Sequence, residues 1–265
     1  MRIVRFNDQK GNVGYGFHEG EKIEVAAGEL LQGLKPSGRK IAFKDVKLLA
    51  PIEPGNLLAI GKNYKAHVNE GGEEVLPPAP LLFIKATSSV IGPGDKIIIP
   101  AVAPEQVDYE AELAVVIGKT AKNVKEKDAL KHVLGYTCAN DVSARDCQFK
   151  DGQWARGKSF DTFAPLGPWI ETELDPFNQS VKCRINGTTL QDANTSLMIF
   201  NVAFIISYLS AGMTLLPGTV ILTGTPEGVG FARKPPIWLK PGDKVEVEVG
   251  GIGTLSNPVV GQKFR

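Results

Sequence analysis

Cysteine is scarce in this sequence, and long apolar runs are missing altogether. Cys138, Cys147 and Cys183 are odd in number and match no metal-finger spacing, which argues against a disulfide framework or structural zinc and for a reducing compartment. No apolar stretch approaches the ~20 residues that a membrane helix needs. The opening MRIVRFNDQKGNVGYG has neither a signal-peptide core nor a basic amphipathic pattern, so the expected location is cytoplasmic, or the mitochondrial matrix if a leader has been lost. Charge of one sign is not in excess either: 30 Lys and Arg stand against 29 Asp and Glu, for a formal charge of +1. Without a basic stripe to track phosphates, nucleic acid is not an expected partner. No strand is followed by G-x-G-x-x-G or by a Walker lysine loop, which removes the usual nucleotide-binding folds. No internal repeat occurs.

What is present is an ordinary globular composition, 43% hydrophobic with 29 Gly and 18 Pro in 265 residues. That suffices for one large core, or one core plus a small appendage. Up to about residue 50 apolar and polar positions alternate (Ile3 and Phe6; Val13, Tyr15 and Phe17; Ile23 and Val25) between Gly-rich breaks, the period of short half-buried strands. Pro51, Pro54 and Gly55 then interrupt the pattern. The expectation is a small β-rich domain over residues 1–53 and a catalytic domain over 54–265. The strongest strand signals in the second part are LLAIG (57–61), PLLFIK (80–85), KIIIP (96–100), ELAVVIG (112–118), TVILTG (219–224) and KVEVEVG (244–250). They are short, rich in β-branched residues and bounded by Gly or Pro. Helical spacing is confined to Glu126–Val133 and Asn201–Ala211. The expected class is mainly β (α+β), with the sheet burying its faces against itself as a roll or barrel-like sandwich.

Within VDYEAELAVVIG, Asp108, Glu110 and Glu112 lie two residues apart in a strand context. Alternation puts all three carboxylates on one face. Like charges so close raise one another's pKa unless a cation neutralises them, and hard oxygen donors suit Mg²⁺ or Mn²⁺. The same pattern also describes the solvated face of an edge strand. A second polar cluster, Asp141, Ser143, Arg145, Asp146 and Gln148, follows the apolar GYTCAN. Asp141 there could join a metal site or could cap a helix.

Six motifs occur in order: GKNYKAHVNE (61–70), PLLFIKATSSVIGPGD (80–95), DYEAELAVVIG (108–118), NDVSARDCQ (140–148), GKSFDTFAPLGP (157–168) and LTGTPEGVG (222–230). Together they resemble the fumarylacetoacetate hydrolase family over residues 55 to 260. RKPPIWLKPGD (233–243) and PLGPWI are most similar to its oxaloacetate tautomerase branch. The short N-terminal part differs from fumarylacetoacetase itself. The resemblance implies a mixed β-roll core, a homodimer, and Glu110, Glu112 and Asp141 as ligands to Mg²⁺ or Mn²⁺. It further implies Lys158 as an active-site lysine, and His67 with Glu70 as a dyad on a lid.

The chemistry of these residue types is consistent with that. His67 and Glu70 are three apart, so one helical turn brings them within hydrogen-bonding reach, and a carboxylate fixes the tautomer and raises the basicity of an imidazole. The GGEEVLPPAP run after Glu70 suits a mobile lid. Lys158, between Gly157 and Ser159, can stabilise an enolate oxygen or return a proton, with a pKa that a nearby metal could lower. Lys85, Arg145, Gln148 and Thr225 are candidates for holding substrate, although Lys85 and Arg145 fit structural ion pairs equally well. LTGTPEGVG can offer backbone N–H groups and the Thr223 and Thr225 hydroxyls to an anion, or be a simple turn. Phe83, Phe160 and Trp169 are expected in the core, and His18 and His132 in structural roles. The expected substrate is a small 2-oxo or enol carboxylate, and the expected reaction is oxaloacetate keto–enol tautomerisation. The alternatives are C–C hydrolysis of an acylpyruvate- or fumarylpyruvate-like diketo acid, oxaloacetate decarboxylation, or a metal-binding protein without turnover.

Overall fold

The computed structural model describes residues 1–72 and 74–262. Glu73, within the run expected to form a mobile lid, and residues 263–265, at the end of the expected catalytic domain, lie outside the described residues.

Two sheets dominate the molecule. The larger has twelve strands, ten of them in the order Lys35–Ala42, Lys22–Ala27, Val13–Glu19, Arg2–Asp8, Ala164–Glu171, Val133–Asn140, Ala111–Ile117, Val220–Leu222, Leu57–Gly61 and Leu81–Lys85. The smaller has five: Thr188–Asn194, Ser180–Ile185, Lys244–Val249, Gly253–Gly261 and Ile97–Ile99. Each of the six strand signals lies in a strand, as does each N-terminal alternating run.

The central strand Ala111–Ile117 is buried at every position, which explains why its sequence reads as an unbroken apolar run. Leu113, Val115 and Ile117 face the core shared with Val181, Val245, Val247 and Leu255 of the smaller sheet. Ala114 and Val116 point the other way, into a second core with Ile3, Leu57, Ala139, Leu166, Val220 and Leu222. Those partners all come from the large sheet or its loops, so the sheet curls to cover its own face, as a roll requires. Each fully buried large aliphatic side chain contributes about 1.5–3 kcal/mol, which makes this strand a rigid mount for whatever its ends carry.

Helices are few and short. The longest, Val202–Gly212, is capped by Asn201, whose side chain accepts from Phe204 N at 2.9 Å. It buries Ile205, Ile206 and Leu209. The expected helix at Glu126–Val133 is a 3-10 segment, Glu126–His132. Among the described residues, no helix is long and apolar enough to cross a membrane. The three cysteines are free and buried; burial pushes the Cys138 thiol up to about 12, as expected of inert thiols.

Candidate metal centre

Register brings the acidic residues together. In the antiparallel pair of Ala111–Ile117 with Val133–Asn140, Ala111 lies opposite Asn140 and Glu112 opposite Ala139. One step beyond the ladder, Asp141 N donates to Glu110 O at 2.9 Å, and Glu110 N donates to Asn140 Oδ1 at 3.0 Å. Glu110, Glu112 and Asp141 thus converge at the end of one hairpin, each offering an oxygen within 4.8 Å of the others. They are 5%, 1% and 0% exposed, which rules out a solvated edge. Asp141 caps no helix: the helix that follows is Arg145–Lys150, with Ala144 at its N-cap.

Asp108 departs from the expected shared face. It lies in a separate short strand, Val107–Asp108, paired with Ser143–Ala144, and its side chain meets Arg145 instead of the other carboxylates.

Three cations enclose the cluster. Lys158 Nζ lies 2.8 Å from Glu110 Oε2 and 2.7 Å from Asp141 Oδ2. Lys85 Nζ donates to Asp141 Oδ1 at 2.5 Å and to Val142 O at 3.2 Å. Arg145 Nη2 lies 2.6 Å from Glu110 Oε1, and Arg145 Nη1 donates to Gln148 Oε1 at 2.8 Å. Lys85 and Arg145 are therefore ion-paired within the protein, the structural alternative left open above. Arg145 still lines the cavity described below, whereas Lys85 reaches Asp141 rather than the cavity wall.

The titration directions follow from this arrangement. Burial alone would raise the Glu110 carboxyl, but Lys158, Arg145 and His67 hold it well below the usual carboxylate range. Burial and then the charges of Asp141 and Glu110 push Glu112 well above that range. Burial opposes the Lys158 ammonium, yet Asp141 and Glu110 raise its pKa. Burial lowers that of Lys85.

Four buried carboxylates, counting Asp108, thus face three buried cations. Among the described residues no side-chain cation forms an ion pair with Glu112; its Oε2 accepts Gly224 N at 2.6 Å. A donor set of three buried carboxylates, whose mutual repulsion lifts Glu112 above the usual range, fits a divalent ion. Each carboxylate oxygen has two lone pairs, so the lysine contacts leave capacity for one.

A cavity of about 320 Å³ opens onto Glu110 and Glu112. Lys158, Arg145, Gln148 and Thr225 lie on its polar side, and Phe83, Phe149, Trp154 and Phe231 on its apolar side. His67 is on the wall, in the helix Lys65–Glu70, with Nδ1 2.8 Å from Glu70 Oε1. Glu70 Oε2 accepts Gly228 N at 2.8 Å, which ties this helix to the Gly-rich segment.

Two expectations change. The donors of LTGTPEGVG serve the protein itself: Gly224 N holds Glu112, Thr223 Oγ1 donates to Leu113 O, and Thr225 Oγ1 donates to Ala111 O. The segment anchors Glu112, and the two threonine hydroxyls donate to backbone carbonyls. Phe83 packs against the second core but also lines the cavity, at 5.3 Å and 73° to Trp154. Phe149, Trp154 and Phe231 were not singled out from sequence, although Phe149 was within reach, because Arg145, Gln148 and Phe149 have the spacing of one helical face.

Comparison with known proteins agrees with the geometry. Residues 56–260 match the family described as fumarylacetoacetate (FAA) hydrolase C-terminal, and residues 1–51 match the Rv2993c-like N-terminal family. The mitochondrial oxaloacetate tautomerase fahd2 of Xenopus laevis is 51% identical over 226 residues, 83% of this chain and 70% of that protein. A fumarylacetoacetate hydrolase domain-containing protein 2 homolog of Dictyostelium discoideum is 49% identical over 237 residues, 84% of this chain and 77% of its own length. The crystal structure of 2-hydroxyhepta-2,4-diene-1,7-dioate isomerase from Mycobacterium marinum superposes with a TM-score of 0.89 at 42% identity, covering 100% of both chains. With the profile spanning most of the chain and the carboxylate cluster in place, this protein is an enzyme of the fumarylacetoacetate hydrolase family.

Proposed function

We propose that the enzyme is an oxaloacetate keto–enol tautomerase whose Glu110, Glu112 and Asp141 hold Mg²⁺ or Mn²⁺. When bound, such an ion withdraws electron density from a 2-oxo acid and so acidifies the proton on the adjacent carbon. The observation that carries the reading is the convergence of three buried carboxylates, two of which, Glu110 and Glu112, line a cavity with a histidine on its wall. The similarity to the Xenopus tautomerase favours oxaloacetate as substrate.

The protein's own groups have distinct tasks in this scheme. Glu70 accepts from His67 Nδ1, which leaves Nε2 as the proton acceptor. Lys158, held between two carboxylates, acts as a hydrogen-bond and proton donor toward enolate oxygen or carbon. Gln148, Thr225 and the cavity-facing edge of Arg145 orient the substrate, while Lys85 acts through Asp141. We place catalysis in residues 54–265, with residues 1–53 as a small β-rich part, in a homodimer.

The His67–Glu70 pair favours a second reading, since the same base could activate water for C–C hydrolysis of an acylpyruvate. Oxaloacetate, acylpyruvates and fumarylpyruvate assayed with Mg²⁺ and with Mn²⁺ separate the two. Decay of enol absorbance without new products supports tautomerisation, and pyruvate release supports hydrolysis. His67→Ala is expected to reduce whichever of the two reactions the enzyme catalyses by about 10²–10⁴-fold; wild-type turnover in the variant would remove the base from its role.

A further inference from the structure

Asp108 is the fourth carboxylate of the site, and the scheme above gives it no task. Its side chain is fully enclosed. Oδ2 accepts from Arg145 Nε at 2.9 Å and from Phe231 N at 3.1 Å. Oδ1 accepts from Gly230 N at 2.8 Å and from Tyr109 N at 2.8 Å. Arg145 in turn spans Asp108 and Glu110, with Nη2 at 2.9 Å and 2.6 Å from their oxygens. The geometry of these two Nη2 contacts is that of an ion pair, not of a directed hydrogen bond.

The turn that Asp108 holds is a wall of the cavity. Phe231 lies with its ring 4.6 Å from the Arg145 guanidinium, 5.7 Å from Phe149 and 6.5 Å, edge-on, from His67. A side chain at Gly230 would meet Ile237 O at 1.9 Å and Asp108 Oδ1 at 2.5 Å, so glycine is what lets this backbone approach the carboxylate. Gly228, two residues earlier, donates to Glu70. One carboxylate therefore anchors two things that the reaction needs together: the guanidinium beside Glu110, and the turn packed against His67.

We propose that Asp108 is a positioning residue with two separable effects, and the first rests on reading Glu110, Glu112 and Asp141 as a metal site. By sharing the Arg145 charge, Asp108 leaves Glu110 free enough to ligate the ion. By accepting the Gly230 and Phe231 amides, it fixes the wall against which His67 packs. The two effects differ in route: the first passes through Arg145, and the second does not.

The test uses the full-length chain, with Mn²⁺ affinity measured by calorimetric titration and amide exchange followed across residues 226–232. Asp108→Asn keeps the shape and removes the charge. It is expected to weaken Mn²⁺ by about 10- to 100-fold, the usual cost of losing a group that supports a ligand, and to speed exchange at Gly230 and Phe231. In an Arg145→Gln background the Mn²⁺ loss caused by Asp108→Asn should vanish while the faster exchange persists. Equal Mn²⁺ losses in both backgrounds would mean general loosening and overturn the proposal, as would wild-type affinity and exchange in the single variant. If Asp108→Asn does not fold, Arg145→Gln alone decides: the Gly230 and Phe231 amides must stay protected, and their exposure would make Arg145 the anchor instead. If the wild-type protein binds no Mn²⁺, the metal reading fails, and the exchange measurement still settles whether Asp108 holds the turn.

Discussion

Lys158 bridges Glu110 and Asp141 with one ammonium, in a place only 2% open to solvent. Replacing it with Met would keep the volume and leave two buried carboxylates facing each other across the gap. Removing one partner of a buried ion pair costs about 3–5 kcal/mol, and Lys158→Met is expected to lose that much in urea unfolding with EDTA present. Added Mn²⁺ should recover more stability in the variant than in the wild type, because the ion restores the missing positive charge. A loss below about 1 kcal/mol would mean that the ammonium contributes no more than a surface pair. At this scale the sequence was legible wherever chemistry repeats locally. Glu110 and Glu112 show by alternation, and His67 with Glu70 by helical spacing. Asp108 was misjudged, because alternation assumes an unbroken strand, whereas the ladder stops after Asp108 and resumes at Ala111. Phe231 gave no signal at all, since one aromatic after a Gly-rich turn could face anywhere.

Among the elements, the turn after Val220–Leu222 controls the site most directly. Gly224 adopts φ +100°, a left-handed conformation that costs a non-glycine residue about 1–3 kcal/mol. A Cβ there would sit 2.7 Å from Asn63 Cβ and 2.9 Å from Ile60 O. Because its N–H holds Glu112, Gly224→Ala should lower stability by at least that strain and weaken Mn²⁺ binding in the same protein. Thermal unfolding and a Mn²⁺ titration check both; an unchanged ion affinity would show that Glu112 does not depend on this N–H. The elements that sequence pattern missed have separate physical causes. Ala164–Glu171 carries Pro165 and Pro168, which normally argue against a central strand. It pairs with Val133–Asn140 through a register shift between Tyr136 and Cys138, so the ladder tolerates what the residues forbid in a regular strand. Lys35–Ala42 is mostly exposed and pairs with one neighbour, so nothing in it needs to alternate.

For the molecule as a whole, the apolar pattern announced that the sheet would bury its own faces, but not which strands would meet. The N-terminal strand Arg2–Asp8 joins Ala164–Glu171 at Arg2 opposite Glu171 and Ile3 opposite Ile170. Apolar periodicity marks the face that is covered, and any covered face would satisfy it, so a contact this distant in sequence leaves no local trace. The fold nevertheless concentrates three buried carboxylates at one place, and that has a global consequence. An ion that binds only the folded chain stabilises it by mass action, about 2.7 kcal/mol at a hundred times its Kd. For a chain of this size each kcal/mol is worth about 2–4 °C. Saturating Mn²⁺ should therefore raise the melting temperature by about 5–10 °C, EDTA should reverse the rise, and Asp141→Ala should abolish it while remaining folded. An equal rise in Asp141→Ala would place the ion elsewhere on the protein, because Asp141 is one of the three carboxylates proposed to hold it.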